Sequence, residues 1–158
     1  MLSLAGYSLA LLLLAQQAAP YVSAAELEGF LKKAREGNLV DQLVKETMVD
    51  GHRVAVAYLR RVKPETNALI HDHVTETYQI LQGSGTLSTG GTLTGAKPND
   101  LTRVGAGIGQ SGVHEGGQTQ KVGVGDIVIV PAGTPHRFSE LTGEILYLVY
   151  RFDSKAVK

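Results

Sequence analysis

Three histidines and one glutamate are the residues of this chain whose types and spacing could do chemistry. His71, His73 and Glu76 lie within one short stretch, and His136 follows at the end of an apolar run that begins at Gly125. Because side chains alternate along a strand, His71 and His73 are predicted to project from the same face. Imidazoles that meet a carboxylate inside a fold suit a transition metal such as Fe, Mn, Cu, Zn or Ni. The pattern therefore predicts a metal site with His71, His73, Glu76 and His136 as ligands.

The stretch that ends at His136 resembles the second signature motif of the cupin superfamily. Gly125 is followed by Pro131, Gly133 and His136 at the family's spacing, and an acidic residue stands where many members carry Asn. The resemblance covers nearly all of the chain after about residue 50. It implies an all-β fold, the double-stranded β-helix or jelly-roll barrel, with a metal held in the barrel interior.

The first stretch resembles the first cupin motif but differs from it in one spacing. Glu76 and Gly83 are separated by six residues, as in the family, whereas only two residues separate His73 from Glu76 where members usually have three or four. If His71 is the family's second histidine, its separation of four residues from Glu76 fits, and Leu69 takes the place of the first histidine. Either both histidines bind the metal across a tightened bend, or one of them is not a ligand.

Composition excludes several classes of function. The chain has 158 residues, 43% of them hydrophobic, which is sufficient for one domain with a sizeable core. Its 15 basic and 15 acidic residues balance, and no basic run argues for a nucleic-acid partner. The absence of cysteine excludes disulfides, a thiolate nucleophile and a thiolate-bound copper site.

The first 24 residues are expected to be a signal peptide. The apolar run that ends at Ala15 is too short to span a bilayer but has the length of a signal-peptide core, and Val22-Ser-Ala24 supplies small residues for cleavage before Ala25. We therefore expect a secreted or periplasmic protein without a stable membrane anchor. A packed N-terminal helix is the alternative interpretation of this segment.

A helical segment is predicted to precede the barrel, at residues 25–48. Ser23 and Glu26 have the spacing of a capping box, which predicts a helix through about Arg35. Residues 39–48 could form either a short second helix or an entering strand. The barrel is then assigned to residues 49–158, where short alternating runs between glycine-rich turns predict strands.

A glycine- and glutamine-rich stretch at residues 95–124 is too long for a plain hairpin, and we interpret it as a lid over the barrel mouth that carries His114. Four further residues are candidates for substrate contact, with at most one of each neighbouring pair facing the interior: Tyr78, Gln79, Tyr150 and Arg151.

The cupin resemblance implies one divalent transition metal per protomer, with Fe, Mn or Cu favoured and Zn or Ni possible, and Glu76 as the catalytic residue. Exported cupins that the chain resembles in outline are manganese oxidases of small acids and copper proteins that oxidise polysaccharides. We therefore expect an oxidoreductase of the oxidase or dioxygenase type that acts on a small organic or carbohydrate substrate. The alternatives are a redox-neutral lyase, isomerase or hydrolase, and a non-catalytic ligand-binding cupin. A homodimer is expected, because pairing would cover exposed edge strands.

Overall fold

Two antiparallel sheets facing one another form the body of the protein. The computed structural model describes residues 18–155, so most of the predicted signal peptide, residues 1–17, lies outside the described residues. The elements in chain order are α1 (Ala24–Glu36), β1 (Asp41–Val49), β2 (His52–Arg61), β3 (Ala68–His71), β4 (Val74–Gln82), β5 (Ser84–Thr89), β6 (Thr92–Leu101), a 3₁₀ turn (Thr102–Val104), β7 (Gly107–Glu115), β8 (Gln118–Gly123), β9 (Ile127–Val130), β10 (His136–Leu141) and β11 (Ile145–Asp153).

The strands are ordered β1-β2-β11-β4-β9 in one sheet and β6-β7-β3-β10-β5-β8 in the other. The core lies between the two sheets, because its buried residues come from β2, β4, β9 and β11 on one side and from β5, β8 and β10 on the other. Three rings form its centre: Tyr78 and Phe138 each lie close to Tyr147, with ring centroids 5.1 and 5.3 Å away. The predicted all-β jelly roll with one short N-terminal helix is confirmed.

Helix α1 begins where the capping box predicts. The Ser23 hydroxyl accepts a hydrogen bond from the Glu26 backbone N–H, and the Glu26 carboxylate accepts one from the Ser23 backbone N–H. The apolar side of the helix, with Leu27, Phe30 and Leu31, packs on the outer face of the five-stranded sheet. Among residues 18–155, no helix is both long and apolar enough to cross a membrane.

The segment that follows α1 is a strand, which corrects the boundary of the predicted helical segment. Helix ends at Glu36, and β1 pairs with β2 along its length from Asp41. The register of this pair shifts between Leu43 and Lys45, as at a β-bulge. A bulge breaks the two-residue alternation by which strands are identified. The sheet therefore begins before residue 49.

The stretch at residues 95–124 forms one hairpin, β6–β7, followed by strand β8. β6 and β7 pair from Thr92↔Glu115 to Leu101↔Gly107, and β8 then joins the other edge of the same sheet. His114 lies in β7, where its ring nitrogen Nε2 is 2.6 Å from the Gly90 carbonyl oxygen. The part of this stretch that reaches the barrel end is the turn at residues 102–107, which we call the hairpin tip. His114 lies at the opposite end of β7 from the hairpin tip. The interpretation of His114 as part of a lid over the barrel mouth is therefore corrected.

Candidate metal centre

His71, Glu76 and His136 meet in the barrel interior. One ligand atom from each can be chosen so that all three lie within 4.8 Å of one another. The Nε2 atoms of His71 and His136 are 3.6 and 3.5 Å from Oε2 of Glu76. All three residues are buried, with 5%, 2% and 4% of their surface exposed in chain order. Three potential ligands therefore converge in a site shielded from bulk water.

Three different strands position these side chains. His71 is the last residue of β3, and Glu76 is the third residue of β4, on the same inward face as Tyr78. His136 is the first residue of β10 and follows the Pro–Gly corner. The backbone N–H of Gly133 in that corner donates a hydrogen bond of 2.8 Å to the His71 carbonyl. The corner that delivers His136 is thus tied directly to the strand that carries His71.

His73 does not join this group. β3 ends at His71 and the chain bends at residues 72–73, so the prediction that both imidazoles project from one strand face is wrong. The His73 side chain is exposed, while its carbonyl accepts hydrogen bonds from the backbone and hydroxyl of Ser154. Of the two interpretations that the spacing leaves open, the geometry favours the one in which one histidine, His73, is not a ligand. Leu69, where the motif resemblance would then place a further histidine, lies opposite His136 in the β3–β10 ladder.

An ion-pair network surrounds the Glu76 carboxylate. Its Oε1 accepts a hydrogen bond of 2.7 Å from Nε of Arg151, and its Oε2 accepts one of 2.8 Å from the Tyr78 hydroxyl. Burial alone would raise the pKa of Glu76, but the charge of Arg151, with smaller contributions from His71 and His136, outweighs it and lowers the pKa. Glu76 is therefore ionised at neutral pH.

Arg151 is shared by two carboxylates. Its Nη2 donates a hydrogen bond of 2.6 Å to Oδ2 of Asp41, and its Nη1 donates one of 2.6 Å to the Val104 carbonyl. The single positive charge of Arg151 is thus shared between Glu76 and Asp41. A buried carboxylate that is only partly compensated favours a cation beside it.

Both imidazoles present Nε2 to the Glu76 carboxylate. Burial, more than any other influence, lowers the pKa of His71 to about 4, so this ring is neutral at physiological pH. Nδ1 of His136 lies 2.9 Å from the Thr134 carbonyl oxygen, which can only accept, so Nδ1 carries a proton and Nε2 is the nitrogen that faces Glu76. A ring N–H held by a backbone carbonyl is the usual support of a metal-binding histidine. Two imidazole nitrogens and one carboxylate oxygen fit a divalent transition metal.

The four candidates for substrate contact form two pairs of strand neighbours, whose side chains point to opposite faces of the sheet. One residue of each pair faces the interior. Tyr78 and Arg151 are buried against Glu76. Gln79 and Tyr150 lie on the outer face of the sheet, where the Tyr150 hydroxyl donates to the Gln79 side-chain oxygen. These two cannot reach a substrate in the barrel. Asp41, which supports Arg151, was missed by sequence reasoning because it opens the strand that the bulge conceals.

No protein-family model and no curated protein sequence matches this chain. Among solved structures, the chain is similar to BH2720 from Bacillus halodurans, with 14% identity, a TM-score of 0.51 and coverage of 90% of this chain and 87% of that one. A cupin protein from Bacteroides fragilis matches over 70% and 72% of the two chains, with 14% identity and a TM-score of 0.41. Oxalate oxidase matches over 66% of this chain and 42% of its own, with 19% identity and a TM-score of 0.39.

At these identities the comparisons bear on the fold alone and not on the reaction. The two facing antiparallel sheets, and the glycine–proline corner that delivers His136 beside His71 and Glu76, give this chain the fold of the cupin superfamily, a double-stranded β-helix.

Proposed function

We propose that this protein is a metal-dependent cupin oxidoreductase that acts on a small organic or carbohydrate substrate. The observation that carries the proposal is the convergence of two buried imidazoles and one buried, ionised carboxylate, with their ligand atoms within 4.8 Å of one another. This donor set resembles the two-histidine, one-carboxylate sites of non-haem iron oxygenases, which leave positions open for substrate and O₂. The bound ion would supply the redox chemistry at those positions.

The protein's own residues would bind the ion, balance its charge and donate hydrogen bonds to the carboxylate that binds it. His71 and His136 would bind through Nε2, and Glu76 through Oε2. Arg151 keeps the other Glu76 oxygen occupied, so the carboxylate presents a single oxygen to the site. The Tyr78 hydroxyl, 2.8 Å from Oε2, is the nearest group that can donate a proton there. Burial followed by the neighbouring Glu76 charge raises the pKa of Tyr78 well above its usual value, so Tyr78 keeps its proton at neutral pH.

The proposal is tested by elemental analysis of untagged protein purified without chelators. His71→Ala should abolish binding of about one Fe, Mn or Cu per protomer. His73→Ala is the matched control: it removes an imidazole two residues away that points outside the site, so the metal content should stay that of the wild type.

The outcome also decides between reaction classes. Fe, Mn or Cu, with oxygen consumption that His71→Ala abolishes, would support the oxidoreductase. One Zn or Ni per protomer would instead favour a redox-neutral lyase, isomerase or hydrolase. No metal after reconstitution with each of these ions would refute the metal-dependent function and leave a ligand-binding cupin.

Export and a homodimer are further parts of this proposal. Export is supported by the apolar leader at residues 1–24. The test is to purify the protein from the medium or periplasm and to identify its first residue by mass spectrometry.

A dimer is supported by edge strand β9, whose Ile127 and Ile129 are 65% and 66% exposed. Light scattering should give a dimer for the wild type and a monomer for Ile129→Lys, and a monomeric wild type would refute it.

A further inference from the structure

The hairpin tip, residues 102–107, covers the end of the barrel next to the candidate metal centre. Val104 and Ala106 are 7% and 0% exposed, although they belong to a turn between two strands. The Val104 carbonyl accepts a hydrogen bond of 2.6 Å from Nη1 of Arg151. The tip therefore touches the arginine that orients the candidate ligand Glu76.

The hairpin tip packs closely against β1, β2 and β4. Gly105 has φ of 78°, and a Cβ at that position would lie 3.2 Å from Cδ1 of Leu43 and 3.4 Å from Cβ of Ala55. A Cβ on Gly107 would lie 3.0 Å from Cγ2 of Val74. Glycine allows both the left-handed backbone and the close approach to neighbouring strands. With the tip seated between β1, β2 and β4, the side chains of His71, Glu76 and His136 stay buried.

Arg151 connects the hairpin tip to the candidate metal centre. Nε of its guanidinium holds Oε1 of Glu76, Nη1 holds the tip through the Val104 carbonyl, and Nη2 is fixed by Asp41. A planar guanidinium cannot move one of these contacts without disturbing the others. Displacement of the tip would therefore loosen the orientation of Glu76.

We propose that the hairpin tip is a gate over the metal centre, and that Arg151 is the positioning residue that couples closure of the gate to the orientation of Glu76. The inference deepens the proposed function, since it names what controls entry to the same site. A metal held best in the closed state would favour closure in return, because coupling between two equilibria is reciprocal. Exchange of the metal, and entry of a small substrate, would require the tip to lift.

The chain allows a direct test because it contains no cysteine. The Cβ positions of residues 55 and 105 are 3.4 Å apart, close to the separation that a disulfide spans. The double variant Ala55→Cys with Gly105→Cys would lock the tip when oxidised and free it when reduced. A Cβ at residue 105 is strained by the left-handed backbone. The reduced form is the matched control, because it carries the same two substitutions and the same strain.

The first measurement is the rate at which Mn²⁺ is released to excess EDTA. Mn²⁺ is chosen because it prefers oxygen and nitrogen ligands, so the reduced thiols compete little for it. Release should be at least about tenfold slower from the oxidised form than from the reduced form, a difference of about 1.4 kcal/mol in barrier. Equal rates would overturn the gate.

A second measurement needs no metal, so it separates failure of the gate from failure of the proposed function. Diethyl pyrocarbonate modifies accessible imidazoles, and fragment mass spectra distinguish His71 from the exposed His73. Oxidation should slow the modification of His71 and leave that of His73 unchanged. If none of the proteins binds Mn²⁺ or any of the other ions named above, the metal-dependent function fails, and this comparison alone decides whether the tip is a gate.

A single substitution keeps the inference testable if the double variant does not fold. Arg151→Lys retains a positive charge but cannot hold Glu76, Asp41 and the Val104 carbonyl together. It should accelerate the modification of His71 and weaken Mn²⁺ binding. Arg60→Lys, at an arginine paired with Glu144 away from the site, should change neither. Reactivity of His71 in Arg151→Lys equal to that of the wild type would refute the coupling.

Discussion

Acidification should destabilise the metal-free protein because His71 is buried as a neutral imidazole. Burial is the main reason that its pKa falls from 6.5 to about 4 on folding. A group with a lower pKa in the folded chain binds more protons when the chain unfolds, so the free energy of unfolding rises with pH across that window. At about 1.36 kcal/mol per pKa unit, the contribution of His71 is about 3 kcal/mol. It should be complete above about pH 6.5 and be lost as the pH falls to about 4.

Urea unfolding of EDTA-treated protein at a series of pH values from about 7 to about 4 measures this effect. Because the chain has 6 tyrosines and no tryptophan, far-ultraviolet circular dichroism is the suitable signal. His71→Gln is the control, since it keeps a polar side chain but cannot titrate. Between the two ends of the series, the wild type should lose about 3 kcal/mol more than the variant. Parallel pH dependences for the two proteins would refute the assignment of a neutral, buried His71.

Three further predictions test the network, the open ligand position and the core. Arg151→Met should leave Glu76 and Asp41 as uncompensated carboxylates and lower the free energy of unfolding in urea by about 3–5 kcal/mol. A loss below about 1 kcal/mol would mean that the ion pairs of Arg151 with these two carboxylates are exposed to solvent. Leu69→His should place a third imidazole beside the other two and tighten Mn²⁺ binding at least about tenfold by calorimetry, whereas unchanged affinity would mean that position 69 does not face the ion. Phe138→Ala removes a ring that is 1% exposed and should cost about 3–5 kcal/mol in thermal unfolding; a cost near zero would contradict the packing described for the core.

The parts of the fold that sequence reasoning recovered are those fixed by short-range chemistry. The capping box places the start of α1 because Ser23 and Glu26 satisfy each other's backbone groups within one turn. The Gly–Pro corner before His136 is similarly local. Strand parity predicts that at most one residue of each neighbouring pair faces inwards, and this holds because β4 and β11 run without interruption across those residues. That Tyr78 and Arg151 are the inward residues is known only from the structure.

The misses occur where a strand is interrupted. The alternation that placed His73 with His71 holds only within one strand, and β3 stops between them. The bulge in β1 similarly obscured the strand that supplies Asp41. The role of the hairpin tip is of a different kind: it depends on contacts between Val104 and Arg151, 47 residues apart in sequence. No local pattern carries such a contact.

The capping box at Ser23 also bears on the proposed cleavage before Ala25. Cleavage before Ala25 would remove Ser23 together with the hydroxyl that accepts from the Glu26 N–H, and would leave a new α-amino group at the start of α1. Loss of such a cap costs about 1 kcal/mol, and a positive charge at the amino end of a helix opposes its dipole. The shortened helix would then depend on its apolar side and on the Arg35–Glu144 ion pair to stay on the sheet. A peptidase that cuts upstream of Ser23 would release a protein with a more stable amino-terminal helix than one that cuts after Ala24.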